Sequence, residues 1–148
     1  MKLQKATRFG LYAVLELARE PDRHLSANDI AEKYGISTNH LAKVLRTLSR
    51  ARLVESVRGA GGGYRFTGNP RRITLLDIIV LFEDIGPGAP RRGDIDERSD
   101  LGKAIRTVLS EIDDIAQATL RSITISTLFT LMARQRGTAA IPAASSAE

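Results

Sequence analysis

Four glycines packed into Arg58-Gly59-Ala60-Gly61-Gly62-Gly63-Tyr64-Arg65 constrain this chain more than any other stretch. Glycine turns sharply and lets backbone approach a surface without Cβ clashes. The β-prone runs Leu53-Val54-Glu55-Ser56-Val57 and Tyr64-Arg65-Phe66-Thr67 flank the glycines, so the stretch reads as the tip of a hairpin. A dinucleotide cradle needs Gly-x-Gly-x-x-Gly between a strand and a helix, with an acid about 20 residues on. Here a helical pattern comes first, a strand follows directly, and no βαβ unit surrounds the glycines.

The segment before the hairpin has the spacing of two short helices. Ser26-Ala27-Asn28-Asp29 is a capping box opening a helix over about 27–34, and Gly35 suits its left-handed exit. Ser37 or Thr38 is expected to cap a third helix with Leu41, Val44, Leu45 and Leu48 on one side. Thr38, Asn39, Lys43, Arg46, Thr47 and Arg50 occupy the other side. Two helices joined by a tight turn, then an arginine-flanked hairpin, are the layout of a winged helix-turn-helix, and this implies DNA binding.

Charge distribution supports that implication. Residues 33–72 hold nine Lys or Arg against one acid, Glu55, whereas residues 93–148 hold six basic and eight acidic side chains. A surplus focused on one segment fits phosphate neutralisation better than a merely solvated basic face.

A largely buried first helix is expected over 8–19, stopping near Glu20-Pro21. Thr74-Leu75-Leu76-Asp77 is a second capping box, opening a helix through Ile78, Ile79, Phe82 and Glu83. Residues 86–93 are too rich in glycine and proline for regular structure, and the acidic stretch to Asp100 reads as exposed. Leu101, Ile105, Val108, Ile112, Ile115 and Thr119 then recur at spacings of 4, 3, 4, 3 and 4, a heptad-like seam on a long helix. Such a stripe can fold back on its own domain or pair with a second copy, and the small winged domain favours a homodimer. A last helix is expected over 124–134, then a disordered tail over 135–148.

Several chemistries are excluded. With no cysteine, the chain has no disulfide, cysteine nucleophile or thiolate metal site. His24 and His40 lie in different elements without ligand spacing, so no metal site and no catalytic residue are assigned, and the chain is not expected to be an enzyme. Asp94, Asp96, Glu97 and Asp100 fail the calcium-loop pattern. No apolar run reaches the roughly 18 residues of a membrane span, and the start does not read as a secretory signal, so the cytoplasm is the expected location.

The sequence resembles the iron–sulfur-cluster regulator and nitric-oxide-sensing repressor family of bacterial winged-helix transcription factors. The resemblance rests on Met1-Lys2-Leu3 with Tyr12-Ala13, on Ile30 to Ser37, on Leu53 to Tyr64, on Ile73 to Ile79 and on the late long helix, and it covers about residues 1–130. It implies a homodimer on an imperfect palindrome of double-stranded DNA, with the third helix in the major groove and the wing in the minor groove. By position it assigns base reading to Thr38, Asn39, Lys43 and Arg58. Cluster-binding relatives carry three cysteines in the loop that here spans about 86–101, and the nitric-oxide sensors carry an acid where Arg8 stands. The resemblance therefore implies the DNA-binding half of the family's behaviour without its cofactor.

The resulting expectation is a mainly α protein with a small β-hairpin, a DNA-binding domain over 1–84, a loop at the usual sensor position over 85–100 and a dimerisation region over 101–134. Ser37, His40, Arg46, Thr47, Arg50, Arg52, Gly61, Gly62, Gly63, Tyr64 and Arg65 are expected to contact phosphate or support the wing. His40 is equally suited to touching DNA or covering the domain surface. Two further readings stay open: a winged module that binds protein, and a repressor responding to a small molecule or partner protein.

Overall fold

The computed structural model describes residues 2–85 and 98–139. Helix α1, Lys5–Arg19, buries Thr7, Gly10, Ala13, Val14, Leu17 and Ala18 along one stripe. It begins three residues before the expected 8–19, because its cap comes from far along the chain. The Glu83 carboxylate accepts from the Gln4 backbone N–H at 2.7 Å and the Thr7 hydroxyl at 2.6 Å. A carboxylate there satisfies orphan donors and complements the helix dipole.

Helix α2, Ala27–Tyr34, opens on the expected capping box of Ser26 and Asp29. Its end is closed by Gly35 at φ 62°, with the Ile36 N–H reaching Ala31 O at 2.8 Å. Helix α3, Thr38–Arg50, buries Leu41, Val44, Leu45 and Leu48 against α1 and α2. The expected side-chain cap at its start is corrected: Ser37 makes no such bond, and the Thr38 hydroxyl donates to Asn28 Oδ1 instead. At its far end Leu53 N–H reaches Leu48 O and Arg52 N–H reaches Ser49 O, a Schellman closure. The left-handed position in that closure is Arg52, at φ 58°.

Strands β1, Val54–Val57, and β2, Gly63–Phe66, pair antiparallel with Val54 opposite Phe66 and Val57 opposite Gly63. Leu25 adds a bridge on the outer side of β2, exchanging both backbone bonds with Tyr64 at 3.0 and 2.8 Å. A Cβ at position 63 would stand 2.5 Å from the Leu25 carbonyl oxygen, so only glycine permits this approach. The bridge holds the hairpin against the entry to α2.

Helix α4, Leu75–Ile79, starts at the predicted Thr74–Asp77 box and is shorter than expected. Leu81 and Phe82 bond back to Ile78 and Ile79, three residues earlier, so the chain tightens after Ile79. This turn presses Phe82 onto α1, where a Cβ at Gly10 would lie 2.5 Å from its ring, and it delivers Glu83 to the start of α1.

Helix α5, Asp100–Ser122, is capped by Ser99 and buries only Gly102, and α6 follows over Ile125–Ala139. The expectation of disorder from residue 135 is corrected over 135–139, which continue α6. Residues 140–148 and the acidic stretch 86–97 lie outside the described residues. The α5–α6 junction is bonded to the winged domain: Leu75 N–H meets Ile123 O, Ile125 N–H meets Ile73 O, and Ser126 N–H meets Pro70 O, each near 3 Å. Ile125 at this seam is fully buried in the core formed by α1, α2, α3 and the hairpin.

Candidate nucleic-acid interface

An amphipathic helix has one face left over once its apolar side is buried. On α3 that face carries Asn39, Lys43, Arg46 and Arg50 at spacings of 4, 3 and 4, all exposed. Thr38 and His40 flank its first turn, both exposed. Thr47 is half-buried, and its hydroxyl donates back to Lys43 O at 3.3 Å. His40 leans off the stripe toward α1, where its ring meets Phe9 edge-on at 5.2 Å, and Lys5 Nζ stands 5.8 Å from the same Phe9 ring. That contact accounts for part of the His40 surface and brings the basic start of α1 beside the start of α3.

The hairpin tip places Arg58 on the surface at the end of β1. Gly61 is exposed beyond it, and Gly62 N–H closes the tip on Gly59 O at 3.0 Å. Gly63 and Tyr64 serve the fold through the Leu25 bridge. Arg65 lies directly across the ladder from Glu55, and its guanidinium bonds the Glu55 carboxylate. Arg52 is exposed at the turn that links α3 to β1, where its carbonyl accepts from the Thr67 hydroxyl.

These pairings refine the charge count. Of the nine basic residues in 33–72, Arg65 is held by Glu55 and Lys33 by Glu16, at 2.6 Å for the latter. Glu16 also accepts from the Tyr34 hydroxyl. Burial alone would push the Glu16 carboxyl up, but the Lys33 ammonium and the Tyr34 hydroxyl together hold it below the ordinary carboxylate value. Burial and the same carboxylate push Tyr34 up to about 12. This cluster, with Tyr12 stacked on Tyr34 at 4.9 Å, fastens α2 to α1. The segment's own acid is thus tied to Arg65, while Lys43, Arg46, Arg50, Arg52 and Arg58 give the exposed face of α3 and the wing positive charge.

Reasoning from sequence missed three residues here. Asn28 and Glu83 take their roles from contacts across 10 and 79 positions of chain, with Thr38 and Gln4, and Lys5 comes beside α3 because Phe9, on which it stands, meets His40 across 31 positions. No periodicity signals such pairs. The proposed dimerisation residues are placed together on α5: Leu101, Val108, Ile112 and Ile115 are 54–68 % exposed, Ile105 is half-buried, and Thr119 returns its hydroxyl to Ile115 O.

A buried helix pair, an exposed polar recognition face and a glycine-tipped basic wing define a winged helix-turn-helix DNA-binding regulator. Comparison with known proteins agrees. The family model for Rrf2, an iron-dependent transcriptional regulator, matches residues 3–130, and the chain belongs to the Rrf2 family. It is 59 % identical over 136 residues to a protein of Rhodopseudomonas palustris (strain ATCC BAA-98 / CGA009) named as the HTH-type transcriptional regulator BadM. That match covers 92 % of this chain and 86 % of the relative. Among solved structures, CymR (YrzC), the global cysteine regulator of B. subtilis, superposes with a TM-score of 0.74 at 32 % identity, covering 88 % of this chain and 98 % of that one. T. potens IscR gives a TM-score of 0.71 at 28 % identity, covering 97 % and 93 %. Family and neighbours are transcriptional regulators and not enzymes. No helix among the described residues is long and apolar enough to cross a membrane.

Proposed function

We propose that the chain acts in the cytoplasm as a homodimeric repressor that binds an imperfect palindrome in duplex DNA. The observation that carries this is the exposed Asn39–Lys43–Arg46–Arg50 stripe of α3, set beside a wing whose Arg58 is exposed. An α-helix fits the major groove, where Asn suits adenine, Lys suits guanine acceptors, and Thr suits polar edges or the thymine methyl. Arg46, Arg50 and Arg52 have the charge and exposure for backbone phosphates, which set position without reading sequence. A guanidinium at a glycine tip suits a narrow A·T-rich minor groove, where the negative potential is enhanced. The exposed apolar seam of α5 supports pairing of two copies, with reading helices one turn of DNA, roughly 34–36 Å, or a multiple of it apart.

Titration against genomic fragments at several salt concentrations tests the reading. Log affinity should fall linearly with log salt, and one fragment should exceed bulk DNA. Asn39→Ala and Lys43→Ala should alter relative preferences across an operator library. A protein that selects no fragment overturns the proposal.

We further infer that this member regulates without an iron–sulfur cluster, either constitutively or in answer to a small molecule or a partner protein. The donor set does not fit the iron dependence in the family's description. The chain has no cysteine, its two histidines lie apart, and no three His, Asp or Glu side chains converge among the described residues. Anaerobic reconstitution should leave the protein without stoichiometric iron and acid-labile sulfide. Stoichiometric uptake of both, with operator binding lost on exposure to nitric oxide, would overturn the inference.

A further inference from the structure

We propose that Asn28, on α2, determines which bases Thr38 can read. The proposal rests on α3 being the reading helix, as argued above. The Thr38 hydroxyl donates to Asn28 Oδ1 at 3.0 Å. A threonine hydroxyl has one hydrogen and two acceptor lone pairs. With its hydrogen engaged by Asn28, Thr38 retains acceptor capacity and a methyl group for the groove and has no proton left to donate.

In the major groove cytosine offers its N4 donor, adenine its N6 donor, and thymine its methyl group. Guanine offers only the N7 and O6 acceptors. A Thr38 fixed as acceptor therefore accommodates cytosine, adenine or thymine at the contacted base and rejects guanine. Without Asn28 the hydroxyl rotates freely and donates to guanine as readily as it accepts from cytosine.

The backbone beside Asn28 is held by a capping box. Asn28 sits two residues after Ser26, whose hydroxyl and N–H both bond the Asp29 carboxylate, at 2.7 and 2.9 Å. Those bonds fix the first turn of α2, and with it the position of the Asn28 backbone. At the other end of the contact, Ser37 makes no side-chain cap bond, and Thr38 is the first residue of α3. The Thr38–Asn28 bond thus ties together the opening turns of the two helices of the reading motif. Both side chains are exposed, so substituting either spares the core. Asn28 itself touches no base; it is a positioning residue.

The test is selection of a randomised half-site library by the full-length protein and by Thr38→Ala, Asn28→Ala and Asn28→Asp variants. Wild type should disfavour guanine at one symmetry-related position, and Thr38→Ala should erase that bias. Asn28→Ala should reduce it about two- to tenfold, the span of one neutral hydrogen bond, with other positions unchanged. Asn28→Asp keeps an acceptor oxygen, so it should retain the bias while lowering affinity for all sequences by placing a carboxylate beside the phosphates.

Asn28→Ala that lowers affinity uniformly, with the guanine bias intact, overturns the proposal and leaves Thr38 as a reader. Loss of the bias in Asn28→Asp also overturns it, because a carboxylate that still accepts the Thr38 proton should leave that hydroxyl unable to donate. A Thr38→Ala profile identical to wild type overturns both this proposal and the assignment of Thr38 to base reading. Absence of selective binding by the wild type is a failure of the DNA-binding proposal itself and shows as such before any variant is compared.

Discussion

Arg58 and Arg52 bracket the first strand of the wing, and only Arg52 carries a backbone cost. Arg58 leaves a long cation on a tip of glycines, and a planar fork is what a narrow groove rewards. Arg58→Lys is expected to retain most affinity for bulk DNA and lose operator discrimination, measured as the ratio of specific to non-specific affinity. Arg52 holds a left-handed backbone that costs an L-residue about 1–2 kcal/mol and that glycine adopts freely. Arg52→Gly is therefore expected to raise stability by about 1 kcal/mol in chemical denaturation. The same variant should weaken DNA binding and reduce the salt slope by about one phosphate contact. The glycine tip and the surplus of arginine were legible in the sequence because composition alone reports them. The strain at Arg52 was not, because the same letters Arg-Ala-Arg-Leu continue a helix equally well until the Leu53–Leu48 bond closes it.

At the scale of elements, legibility followed the reach of the interaction that sets each boundary. Both capping boxes, at Ser26 and Thr74, act across three residues, and α2 and α4 begin where they place them. The start of α1 depends on Glu83 and the tightened turn after α4, and the readable apolar pattern of residues 8–19 contained neither. The end of α6 went the other way, since Arg134 to Ala139 remain helical with few apolar side chains to show it. The joint between α1 and α2 makes a prediction in pH. Glu16 has a folded pKa below its ordinary 4.5, so its contribution is fully present above that value and is lost as pH falls through the depressed one. Denaturation midpoints should decline with acid below about pH 4.5, and Glu16→Gln should lower the neutral-pH midpoint and flatten that decline.

For the whole molecule, the apolar stripe that α5 leaves in solvent is the quantity that must be accounted for. Ile112 and Ile115 are 54 and 68 % exposed in a single copy, so aspartate at either site costs a lone chain little. Across a dimer seam the same carboxylates would be buried without partners, which is expensive. Ile112→Asp with Ile115→Asp should sediment as a folded monomer and lose operator affinity, whereas the wild type should sediment as a dimer at micromolar concentration. A monomeric wild type would exclude the arrangement. The heptad-like spacing made this stripe legible, but the attachment of its far end was hidden. Ile125 reads as one more apolar residue of a last helix, and only the fold shows it plugged into the core of the DNA-binding domain.

The seam between Ile123–Ser126 and Pro70–Leu75 also decides how motion passes through the protein. Three backbone bonds and a buried isoleucine make that junction a weld and not a swivel. A long helix welded to its reading head transmits torque: in the proposed dimer, any change in how two α5 helices cross must turn the two heads relative to one another. Such a pair would behave as a caliper with a set gap, suited to one face of the double helix. Inserting about half a turn of DNA, roughly 5 bp, between the half-sites should abolish cooperative binding, where heads on slack tethers would simply reach around.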